Sequence, residues 1–250
     1  PRLNARLMPP AVSDADVILA GPVMASIGAI AASFGEEQPP VLAFHGPDAS
    51  SQEATARWLA HGMERPLLAA QLPAIEGNGA NVAEAVMMTL RDARLTGAVA
   101  FLGNWDAAVV DSGSSAAALG HVLDHPDLVI LSSKGVWQAQ GVERDRQVAW
   151  FEFAVPDFAE RRALWEHFLA EAGLALADDV DLTALAGQFQ LTAARIRDTA
   201  LSARDNALAQ GDADEAPVIS SAGLFAAARA YTKRSAVIAF SKALNASSPK

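Results

Sequence analysis

Five short apolar runs constrain this chain more than any other feature: residues 41–45, 67–72, 98–102, 128–132 and 148–153. None alternates apolar with polar, as a half-exposed strand would, so each reads as a strand buried on both faces. Between the first four lie segments long enough for crossover helices, around 54–61, 81–94 and 116–123. Strands and helices alternating at this spacing predict a parallel sheet with helices on both faces, joined by right-handed crossovers. Ligands on such sheets bind at the carboxyl ends of the strands, so the loops that follow the strands are where chemistry is to be sought.

After Pro156 the pattern changes. Leu164, Trp165, Phe168 and Leu169 form one helical stripe, and Leu182, Leu185 and Phe189 a second. Thr192 is placed to cap a third helix, and Leu224, Phe225, Ala228 and Tyr231 mark a fourth beyond an acidic loop at 211–215. No strand signal appears there, so an all-helical subdomain is expected. The expected division is a lead-in helix and linker over 1–35, an α/β core over 36–155 and the helical region over 156–250. The uncharged run 17–34 nearly reaches spanning length. Asp14 and Asp16 precede it and Gly21-Pro22 interrupts it, so it reads as a packed helix and no membrane segment is expected. The tail beyond 244 reads as frayed, and the sequence opens on Pro rather than Met, as a piece of a longer polypeptide would.

Composition excludes several classes. The chain is 51% hydrophobic, which rules out intrinsic disorder. A formal net charge of −10 argues against nucleic acid as a partner, because phosphate neutralisation needs clustered Lys and Arg. There is no cysteine, which excludes disulfides and thiolate metal sites and fits a cytoplasmic setting. Of the five histidines only His121 and His125 are spaced i, i+4. With no Glu following His121 and with Pro126 adjacent, they read as a surface pair, and no metal site is expected.

One loop has the frame of a phosphate cradle without its chemistry. Residues 41–53 read Val-Leu-Ala-Phe-His-Gly-Pro-Asp-Ala-Ser-Ser-Gln-Glu, a strand, a turn and a helix start. Such a loop needs glycines so that its N–H groups curl inward, a Lys for the β/γ-phosphates and a Ser or Thr for Mg²⁺. Gly46-Pro47 opens it as expected and Ser50 follows. Ser51 then stands where the last glycine belongs, Gln52 where the lysine belongs and Glu53 where the Mg²⁺ hydroxyl belongs. As a motif match it fails.

The order of elements nevertheless resembles AAA+ ATPases. The similarity is strongest to a bacterial type with an "FEFPxPxxxER" segment and a "DVDLxxLAxxFxLTGGxIRNAAL" lid. This chain has Phe151-Glu-Phe-Ala-Val-Pro156-Asp157-Phe-Ala-Glu160-Arg161-Arg162, and from Asp179 Asp-Val-Asp-Leu-Thr-Ala-Leu-Ala-Gly-Gln-Phe-Gln-Leu-Thr-Ala-Ala-Arg-Ile-Arg-Asp-Thr-Ala-Leu, ending at Leu201. The resemblance implies a P-loop NTPase-like α/β core followed by an all-helical AAA+ lid. It also implies where the catalytic positions fall. Gly103 stands for the Mg²⁺-supporting Asp, Asn104 for the Glu that polarises water, and Ser132 or Ser133 for the sensor Asn. Arg144 and Arg146 fall where arginine fingers are placed, and Arg195 and Arg197 where a lid arginine would reach the γ-phosphate. The pore-loop position, 75–79, keeps its glycine and loses the aromatic.

A charged hydrogen bond contributes on the order of 1.5–3 kcal/mol, so Lys-to-Gln alone weakens nucleotide binding roughly tenfold to a hundredfold. Glu53 adds a carboxylate that would face phosphate oxygens. Gly103 and Asn104 remove the positioning and electrostatics that supply most phosphoryl-transfer catalysis. The expectation is therefore a non-catalytic AAA+ module, structural or regulatory, with no catalytic residues of its own and other AAA+ modules as partners in an oligomer. Two alternatives are weighed. One is a module that still binds ATP or ADP with Mg²⁺, weakly, through the vestigial pocket of Gly46, Pro47, Ser50, Ser51, Gln52, Glu53 and Arg195. The other is an α/β-hydrolase-like enzyme suggested by Phe44-His45-Gly46, which lacks the required Gly-x-Ser-x-Gly elbow.

Overall fold

The computed structural model describes residues 4–10, 26–29, 38–72, 82–109, 112–138, 145–210 and 218–232. The chain divides into two compact units at Ala154/Val155.

In the first unit all five expected strands form: β2 (Val41–His45), β3 (Leu67–Gln71), β4 (Val99–Gly103), β5 (Val129–Ser133) and β6 (Val148–Glu152). A sixth, β1 (Asn4–Met8), lies in what the sequence suggested was a lead-in helix and linker. The sheet order is β1-β3-β4-β5-β2-β6, parallel throughout except for β1, which runs antiparallel to β3. Helices α1 (Ala49–Gly62), α2 (Val82–Thr96), α3 (Asp106–Val109) and α4 (Ser112–Asp124) fill the connections.

Alternate strand residues feed two cores. Val41, Ala43, Ala100, Leu102, Val129 and Leu131 pack with α2 and α4 on one face. Leu42, Phe44, Val99, Phe101 and Ile130 pack with α1 on the other, joined by Ile27 from the helical turn at 26–29. Both faces are covered, which is why the strands read as continuous apolar runs. The rest of the run 17–34 lies outside the described residues, as do the pore-loop position and the tail beyond 232. Among the described residues no helix is long and apolar enough to cross a membrane.

The second unit holds α5 (Phe158–Glu171), α6 (Leu182–Gln188), α7 (Ala193–Gln210) and a helix over 221–232. It is not purely helical. Ala175–Leu176 pairs in parallel with Val218–Ile219 as β7 and β8, a two-residue ladder too short to leave a period in the sequence. The Asp157/Glu160 pair explains the "ER" segment physically. Asp157 accepts from the Glu160 N–H at 2.8 Å and Glu160 returns a bond from the Asp157 N–H at 2.8 Å, a capping box that starts α5. Arg161, buried, donates to the carbonyls of Pro156 and Ala186 and ties the start of α5 to the end of α6.

Candidate functional site

The loop between β2 and α1 sits at the carboxyl end of the sheet, and its shape is forced at Gly46. That residue has φ +137°, and a Cβ there would lie 2.2 Å from the Phe153 carbonyl oxygen. Only glycine allows so close an approach of two backbones. The turn also brings Gly46 N–H to the Ser133 carbonyl at 3.1 Å, because β2 and β5 are paired with Phe44 opposite Ser132 and His45 opposite Ser133.

Four of the expected site residues converge here, and they bond to one another. Gln52 is 0% exposed. Its Nε2 donates to the Gly46 carbonyl at 3.1 Å and the Ser133 carbonyl at 3.3 Å, and its Oε1 accepts from the Ser132 hydroxyl at 2.6 Å. The residue in the lysine position therefore points back into the loop and is fully satisfied there. The Ser133 hydroxyl is equally committed, to the carbonyls of Phe44 and Gly135. Ser51 is held by Asp48, whose carboxylate accepts from the Ser51 N–H at 3.1 Å and the Ser51 hydroxyl at 2.8 Å. Asp48 caps α1 with its own negative charge, where a phosphate oxygen would otherwise take the N–H groups. Its part went unread, although Asp three residues before Ser51 at a helix start is a legible cap signal. Glu53 forms an ion pair with Arg6 of β1 at 2.9 Å, a partner supplied by the unexpected strand. Pro47 and Ser50 are exposed.

At the end of β4, Gly103 is buried beside its register partner Gln71, whose amide any side chain at 103 would displace. Asn104 adopts a left-handed φ of +59° and its Nδ2 donates to the Leu72 carbonyl at 3.0 Å, so its amide is bound to the end of β3. Beyond the strand ends Trp105 and Trp137 are 1% and 7% exposed, with ring centroids 5.8 Å apart. Neither indole lies in solvent. Trp150 continues the row at 4.8 Å from Trp137.

Arg146 does not reach this loop. Arg146 is buried at the opposite end of the strands, where it donates to the carbonyls of Pro39 (2.7 Å), Val122 (2.9 Å), His125 (2.5 Å) and Asp127 (2.7 Å). Burial lowers its pKa to about 10. It caps the carboxyl end of α4, helped by the Gln38 amide on the Leu123 and His125 carbonyls, and is not free to act as a finger. Arg144 lies outside the described residues. Arg195 is exposed on α7 of the second unit, and its neighbour Arg197 pairs with Glu171 at 3.7 Å. His125, expected at the surface, is buried, and burial lowers its pKa. Among the described residues no group of His, Asp and Glu is arranged to hold a metal ion.

Residues 157–234, the span from the cap of α5 through the last helix, match the family model of the contractile injection system ATPase helical domain. A solved structure described as a structural basis for katanin self-assembly is similar in fold, with a TM-score of 0.62, 16% identity, and coverage of 88% of this chain and 84% of that one. At that identity the likeness speaks to the fold alone. No curated protein matches the chain in sequence. The chain thus carries an α/β core built on a mostly parallel six-stranded sheet, followed by a largely helical unit whose residues 157–234 are similar to the helical domain of contractile injection system ATPases.

Proposed function

We infer that this chain is a non-hydrolysing module of AAA+ type that works as a structural or regulatory part of a larger AAA+ assembly. Its partners are AAA+ modules, in the same polypeptide or in a neighbouring subunit, that carry out ATP turnover. The likeness of residues 157–234 to the helical domain of contractile injection system ATPases supports an injection-system setting.

The observation that carries this reading is the self-satisfied Gln52. A phosphate loop works because its N–H groups and its lysine lack partners until the ligand arrives. Here the residue in the lysine position spends its donors on two loop carbonyls and its acceptor on Ser132. Asp48 meanwhile places a carboxylate at the mouth of α1. A triphosphate entering this loop would have to break those bonds and face two carboxylates, Asp48 and Glu53, with Arg6 as the compensating cation.

Calorimetric titration with ATP·Mg²⁺ to millimolar concentration, together with phosphate-release assays on the purified chain, tests this. Neither heat nor turnover is expected. Sustained turnover overturns the reading. Heat without turnover replaces it with a module that binds nucleotide and does not cleave it.

A further inference from the structure

The row of tryptophans ends at the surface, beside a carboxylate with no partner among the described residues. Trp150 lies on β6, which pairs only with β2 among the described strands. Glu152, two residues on, shares the same face of the strand. His45 is the register partner of Glu152 on β2. The Trp150 ring lies 4.8 Å from Trp137 and 6.1 Å from His45, inclined by 56° to each. Trp137 is itself backed by the buried Trp105, so Trp150 is held from behind and keeps 36% of its surface in solvent. Glu152 is exposed, and its carboxylate has neither a hydrogen bond nor an ion pair among the described residues.

This is an aromatic corner with an anion beside it. The face of an indole carries negative quadrupole potential and attracts cations, and a guanidinium stacks on it in plane while its fork meets a carboxylate. A purely apolar occupant would bury Glu152 without a partner, at a cost in free energy. The net charge of −10 favours the approach of a basic surface. We propose that Trp150, Glu152 and His45 form a receptor for an arginine side chain presented by a partner protein. The proposal rests on the preceding reading in one respect: a triphosphate held by the loop after β2 would add its own charge at this end of the sheet.

The test follows the five indole N–H signals in the NMR spectrum of the intact chain during titration. The probe is acetyl-Gly-Arg-Gly-amide, with acetyl-Gly-Glu-Gly-amide as control. The Arg peptide shifts the Trp150 signal with millimolar affinity and the Glu peptide does not. Glu152→Gln weakens the response about fivefold. Trp150→Leu weakens binding as read from the Trp137 signal by about the same factor. Glu166→Gln, on α5 of the other unit, leaves it unchanged, and unaltered Trp105 signals establish that each variant is folded. Affinity unchanged from that of the native chain in both corner variants, an equal response to the Glu peptide, or no shift at all overturns the proposal. ATP·Mg²⁺ titrated in a separate sample distinguishes the two readings. Movement of the Trp105 signal by ATP counts against the silent loop and leaves the peptide result to stand or fall alone.

Discussion

A primary amide offers a donor and an acceptor on one planar group, and the space between Gly46, Ser132 and Ser133 needs both. Lysine offers donors only, so Gln52→Lys would leave the Ser132 hydroxyl without its acceptor and set an ammonium at a position with no exposure. We expect that substitution to lower stability by about 2 kcal/mol, read as a shift in the urea midpoint. It should also fail to confer ATP binding by calorimetry, because Asp48 still occupies the Ser51 N–H. Tight binding by the single variant would show that only the lysine was missing. Gly46→Ala makes a sharper prediction. The added Cβ meets a backbone carbonyl that cannot swing aside, so the loss should exceed about 2 kcal/mol or abolish soluble expression. A near-neutral midpoint would contradict the described approach of Gly46 to Phe153.

At the scale of elements, what was legible in the sequence is what burial on both faces writes there. β2 to β6 and α1, α2 and α4 fell where apolar runs and helical spacing put them, with ends shifted by a few residues. β1 was not legible because it is an edge strand. Asn4-Ala-Arg-Leu-Met mixes polar and apolar residues, with Arg6 and Leu7 exposed, and only its pairing with β3 makes it a strand. β7 and β8 are each two residues long, below any period. The frame of the loop could be read by its offset from β2, so Gln52 was found. The direction of its side chain could not, since that depends on the β2–β5 register. Arg146 misled for a similar reason. Glu143 and Asp145 beside it suggest a solvated run, whereas its four carbonyl partners come from residues 19 to 107 positions away. The cap of α5 is a purely local matter and gives a local prediction. Asp157→Ala removes one half of the capping box and should cost about 1 kcal/mol, measured as a lower unfolding midpoint of the second unit. An unchanged midpoint would mean that Glu160 alone suffices.

For the whole molecule, acidity sets two effects against each other. Lowering the pH from neutral reduces a net charge of −10, which relieves self-repulsion in the compact state and so favours folding. His125 works in the other direction. Burial lowers its pKa below 6.5; Asp127 opposes this, while Arg146, Arg94 and Arg65 add to it. Its Nε2 lies 3.9 Å from the Asp127 carboxylate, beyond hydrogen-bonding reach, so protonation gains no bond. A group whose folded pKa is depressed binds its proton more readily when unfolded. Stability is therefore lost as the pH falls from about 6.5 toward the lower folded value, and is constant above that range as far as this residue is concerned. Protonation would place a cation beside Arg146, whose bonds close the carboxyl end of α4 and hold the amino ends of β2, β5 and β6 together. Urea midpoints at pH 7.5 and 5.5 should fall for the native chain by more than for His125→Gln, which keeps the backbone carbonyl that Arg146 uses and does not titrate. Parallel slopes in the two proteins would assign the acid sensitivity to the carboxylates instead.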